Sequence, residues 1–125
     1  MKRVFVLASI TAIIVSVTPI MAHDANHPEL NDWYMGLQSK GKSPCCDGSE
    51  AIHLRDVDWE SQNKENSHFR VRIPATNLEN SPLEWVDVPD DALVEGPNKD
   101  GSTLVWPIYG YMGVSVRCFM PGALT

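Results

Sequence analysis

Three cysteines hold the most reactive chemistry in this chain. Cys45 and Cys46 are neighbours in Ser43-Pro44-Cys45-Cys46-Asp47-Gly48, and Cys118 stands far along the chain. In an oxidising compartment thiols pair, and an odd number leaves one over. A bridge between chain neighbours would close a small, strained ring, so one of the two is expected to reach Cys118. Cys46 is the expected partner, with Cys45 as the alternative. Either bridge would close most of the folded chain into one loop, worth about 4 kcal/mol on chain-entropy grounds. The remaining thiol would then be buried, modified or open to another chain. To act as a nucleophile it would need an imidazole such as His53 or His68 beside it. His53 follows the pair within an expected strand, and nothing in the spacing turns it back toward the thiols. Nor does the pair have the two-residue spacing of a redox Cys-x-x-Cys. No catalytic residue is assigned.

A second group lies near the start. Cleavage after Ala22 would leave His23 at a new amino terminus, where amine and imidazole together can chelate a metal. Asp24 and His27 lie within reach as further ligands, and imidazole with carboxylate suits Cu(II) or Zn(II). The bland reading is a polar tail behind a leader. The acids Asp56, Asp58, Asp87, Asp90 and Asp91 fall on expected solvent positions of strands and turns, where charge is usually solvated. Neither Asp47-Gly48-Ser49-Glu50 nor Asn98-Lys99-Asp100-Gly101 completes a calcium loop. No phosphate loop, Gly-x-Ser-x-Gly or His-Glu-x-x-His is present. Trp33, Trp59, Trp85 and Trp106 fall in phase with core positions; an exposed row of aromatics would instead suit a sugar.

Targeting gives the cysteines their meaning. Lys2 and Arg3 precede an apolar run over 4–17, and Pro19-Ile20-Met21-Ala22 follows with a turn and a small terminal residue. That pattern predicts a signal peptide over 1–22 and one globular domain over 23–125. The run is too short to span a bilayer. Export to the periplasm or beyond is therefore expected. Losing Lys2 and Arg3 moves the formal charge from −6 to −8. Such a surface repels nucleic acid and anionic lipid and favours cations. Arg70 and Arg72 are the nearest thing to a basic cluster, so nucleic-acid binding is set aside.

The elements that must position these residues follow from periodicity. Leu30, Trp33, Tyr34 and Leu37 make one apolar stripe, predicting a helix over 28–38 capped by Asn26 or His27. Residues 45–50 read as a turn with Asp47-Gly48 at its tip. Ile52 and Leu54 alternate, then Val57 and Trp59, with a change of parity at Arg55-Asp56 that suggests a bulge. A polar turn is expected over 61–66, a strand through Phe69, Val71 and Ile73, a loop over 74–82, and a strand over 83–88 stopped by Pro89. Residues 90–94 suit a single helical turn and 97–101 a tight turn. The chain closes with strands over 103–109 and 111–119, in the second of which Val114, Val116 and Cys118 should share a face. The predicted class is mainly β (α+β): a small antiparallel sheet or partly open barrel of five or six strands with one N-terminal helix packed on it.

His23-Asp24, Trp33-Tyr34, Cys45-Cys46-Asp47, a tryptophan strand and Cys118-Phe119-Met120-Pro121-Gly122 together resemble a group of small exported bacterial proteins. Members often carry a further cysteine in an Asp-Cys step beyond the pair. Here Glu50-Ala51 occupies that place, which implies half of a second bridge is missing. The resemblance implies export and a disulfide-linked fold, and no particular activity. The function expected from the sequence is a non-enzymatic binding or structural domain of the cell envelope whose acidic surface takes a cationic partner, such as a basic protein. The alternatives are periplasmic copper binding through His23 and, third, a cysteine-dependent enzyme.

Overall fold

A computed structural model describes residues 28–46 and 48–122. The chain enters through a 3-10 turn (Pro28–Leu30) into a short helix, α1 (Asn31–Met35). It then forms six strands: β1 (Ile52–Leu54), β2 (Trp59–Lys64), β3 (Ser67–Pro74), β4 (Leu83–Val88), β5 (Thr103–Gly110) and β6 (Gly113–Met120). They make two antiparallel three-stranded sheets, ordered β1-β5-β6 and β2-β3-β4, with no closed barrel. The expected β-rich class with one helix is what forms. Among the described residues no helix is long and apolar enough to cross a membrane.

Sheet β1-β5-β6 is the middle of three layers. On one face Leu104, Trp106, Cys118 and Met120 pack with Tyr34 and Leu37 of the helical segment, and with Cys45 and Val94. On the other, Val105, Val116 and Phe119 meet Val71, Ile73 and Val88 of the second sheet. A strand buried on both faces reads as a continuous apolar run, which is why Leu104-Val105-Trp106 does not alternate. Trp59, Phe69 and Phe119 form a tilted aromatic cluster between the sheets, with centroids 5.3 to 6.1 Å apart.

Several expectations are corrected. The helix is shorter than 28–38, ending at Gly36, whose N–H donates to the Trp33 carbonyl while the Leu37 N–H donates to that of Tyr34. Leu37 still reaches the core, but from a bend that leads into bridges at Gln38 and Ser39. The parity change at Arg55-Asp56 is a 3-10 turn (Asp56–Asp58) that moves the chain from one sheet to the other. Strand β2 continues through the expected polar turn to Lys64, and the reversal is confined to Glu65 and a left-handed Asn66 (φ 59°). Gly48 is no exposed turn tip: it is buried under the Tyr34 ring, where an added Cβ would lie 2.8 Å from ring carbons. Val116 and Cys118 lie on opposite faces. Trp106 pairs with Cys118 but Pro107 with Val116, leaving Arg117 as a bulge. Pro107 has no N–H for the ladder, so a bulge beside it costs little.

Candidate functional site

The disulfide joins Cys45 to Cys118, 73 positions apart in the chain, with Cα atoms 5.6 Å apart. Cys46, the expected partner, is outside the bridge. The reason lies in the approach of the chain. Cys45 donates its N–H to the Leu37 carbonyl and is fully buried, so its side chain enters the core beside β6. Cys46 follows in a left-handed conformation (φ 72°), which swings its sulfur to the bulged residue, where Arg117 Nη1 donates to Sγ at 3.3 Å. Both imidazoles considered as a base are held by carboxylates. His68 Nδ1 lies 2.8 Å from Asp90 Oδ1, and His53 Nε2 lies 3.2 Å from Asp100 Oδ2.

Asp100 is the centre of a small knot. Its side chain is nearly buried, and the Tyr34 hydroxyl donates to the same oxygen that faces His53. Burial pushes the carboxyl up, but hydrogen bonds from Tyr34, Ser102 and His53 outweigh this and hold it below the ordinary value. The knot ties α1, β1 and the turn before β5 together. Its local origin is the turn itself: Asn98 accepts from the Gly101 N–H and donates to the Ser102 and Pro121 carbonyls.

Outside sheet β2-β3-β4 lies a charged face in which each strong charge meets its opposite. Asp58 accepts from both Arg55 and Arg72, and Arg70 pairs with Glu60. Lys64 pairs with Asp87, to which Gln62 also donates. Hydrogen bonds from Arg72, then Arg55, keep the Asp58 carboxyl below its usual range; Lys64, then Gln62, do the same for Asp87. His68 lowers Asp90 likewise. Asp58 is thus buried rather than on a solvent position. Trp85, expected in the core, sits half-exposed on this face with the Arg70 and Arg72 guanidinium carbons 4.5 and 5.5 Å from its ring centre. Its cross-strand neighbour is Arg72, so its side chain shares the outer face. Trp106 is buried, and Trp33 and Trp59 are partly so.

At the other end of the sheets the loop after β3 and the β5–β6 hairpin tip enclose two adjoining clefts of about 440 and 370 Å³. Thr76, Asn77, Leu78 and Tyr109 line both, so together they form one trough. Glu50 and Glu79 stand on its rim. Leu78 is 72% exposed, and Tyr111 and Met112 at the hairpin tip are more exposed still. Sequence reading missed this feature. Its only signal was apolar residues set in polar turns, Leu78 within 74–82 and Tyr111-Met112 between glycines.

The proposed metal ligands His23, Asp24 and His27, the leader over 1–22, and the helix caps Asn26 and His27 all lie outside the described residues. Among the described residues no group of three or more His, Cys, Asp or Glu side chains is placed to hold a metal ion. Comparison of the chain with family models, with curated proteins and with solved structures gave no match.

Proposed function

We propose that this chain is an exported, disulfide-linked binding domain of the cell envelope, without catalytic activity, that associates with a cationic partner. One observation carries the reading: among the described residues most cations are engaged by the chain's own carboxylates, Lys42, Lys99 and Arg117 being the exceptions, while a larger set of acids stays uncompensated. Among the described residues Lys40, Arg55, Lys64, Arg70 and Arg72 are each ion-paired to a carboxylate. Glu50, Asp56, Glu65, Glu79, Glu84 and Asp91 are exposed and belong to no ion pair. Such a surface attracts cations at long range and at a rate that salt should lower. The buried Cys45–Cys118 bridge supports export, since such bonds persist outside reducing compartments.

The test is the affinity of the purified chain for a lysine-rich peptide over a salt series. Association at low ionic strength that weakens steeply toward about 0.5 M salt, where charges are screened within a few ångströms, is the expected result. Equal binding of an acidic peptide, or no dependence on salt, would remove the reading. Intact-mass analysis of exported protein, with thiol titration, tests compartment separately: the leader should be gone and a single thiol should react after unfolding.

A further inference from the structure

We propose that the trough between the post-β3 loop and the β5–β6 hairpin tip seats the partner, and that its occupant is an extended polypeptide segment alternating lysine or arginine with apolar side chains. This rests on the cationic-partner reading and gives it a place and a form.

Charge complementarity comes first. Glu50 and Glu79 stand on the trough rim without an ion pair, and among the described residues no lysine or arginine lines either cleft. A cation arriving there displaces no internal partner, unlike one arriving at the outer face of β3 and β4, where Glu60, Asp58 and Asp87 are already neutralised. The floor argues for side chains rather than bare ions. Ile52, Pro107 and Leu78 offer apolar surface to the stem of a lysine, whose head would reach the rim carboxylates. Tyr109 and Tyr111 add ring faces that attract ammonium or guanidinium groups. Exposed apolar side chains gathered at one place on a small domain mark contact surfaces.

Shape argues for an extended occupant. Two clefts that share four lining residues give one continuous, open depression, where a compact ion would find only two carboxylates. Tyr109 adds a directional contact: it lines both clefts, and its hydroxyl, protonated at neutral pH as a phenol ordinarily is, can donate to a backbone carbonyl of the segment.

The experiment uses the purified chain and a blocked synthetic peptide alternating lysine with valine, with binding followed by calorimetry. E50Q/E79Q should weaken binding roughly tenfold, the size expected for two rim charges acting together. L78S should weaken it several-fold, whereas E65Q and D56N, which lie elsewhere, should leave it unchanged. Unfolding midpoints confirm that each variant remains folded. If E50Q/E79Q binds like the parent while salt still weakens the parent, the trough is not the seat, although the cationic reading survives. If the parent fails to bind the peptide at low salt, the cationic reading fails and the trough proposal with it. Should spermidine bind as tightly and lose as much in E50Q/E79Q, the occupant is not a polypeptide and the proposal is overturned.

Discussion

Two regions of this molecule are exposed, charged and aromatic, and they differ in one respect. On the outer face of β3 and β4, Arg70 and Arg72 lie against Trp85 and answer Glu60 and Asp58. Around the trough, Glu50 and Glu79 stand beside Leu78, Tyr109 and Tyr111 with no cation among the described residues to meet them. The first region has spent its electrostatics on holding three strands in register; the second has left its own open to the partner we propose. Exposure alone would have ranked them together. Internal compensation is what separates the structural surface from the proposed binding one.

The largest effect tests the frame both regions share. Cys118→Ser removes the bridge that anchors β6, whose hairpin tip walls the trough, and should cost about 4 kcal/mol in denaturant unfolding. Cys46→Ser should change stability by less than about 1 kcal/mol, since it leaves the bridge intact. Equal losses would mean that the two neighbouring cysteines share the pairing. Next, Arg72→Ala should lower the unfolding midpoint more than Arg70→Ala, because Asp58 is buried while Glu60 is exposed. Neither should change peptide affinity appreciably, which separates that face from the trough.

Acid should act on the compensated groups. Asp58, Asp87, Asp90 and Asp100 are all held below the carboxyl reference value of 3.8. A depressed folded value means stability that is fully present above 3.8 and is lost as pH falls through the lower folded values. Unfolding midpoints should therefore hold steady from neutrality to about pH 5 and fall steadily below 4. A protein equally stable at pH 2 and pH 6 would contradict this. The smallest stability effect belongs to the trough: E50Q/E79Q should shift unfolding by no more than about 0.5 kcal/mol, as surface charges without partners do. A marked loss would show that these carboxylates are structural after all, and the contrast between the two regions would collapse.

Much of the fold was legible because most strands alternate. Phe69, Val71 and Ile73 point inward and Arg70 and Arg72 outward, as their period of two requires. Where reading failed, the cause lay in another segment. The parity of β6 flips at Arg117 because of Pro107 on the neighbouring strand, and no inspection of 111–119 alone could show it. Trp85 reads as core from its strand phase; only its pairing with Arg72 puts it outside. Cys45 over Cys46 was decided by the hydrogen bond from Cys45 to Leu37, a contact between a bend and a turn with no pattern in sequence. The trough was the least legible of all. Its walls come from a loop near residue 78 and a hairpin tip near 110, and each reads locally as an ordinary turn.

The most direct test of the central claim is a map of where a basic segment touches. Backbone amide shifts of the isotope-labelled chain, followed during titration with the lysine–valine peptide, should move at Glu50, Thr76, Asn77, Leu78, Glu79 and Tyr109, while Arg70, Arg72 and Trp85 stay still. Shifts centred on the outer face of β3 and β4 would contradict the account, because that face would then be taking a partner despite having satisfied its own charges.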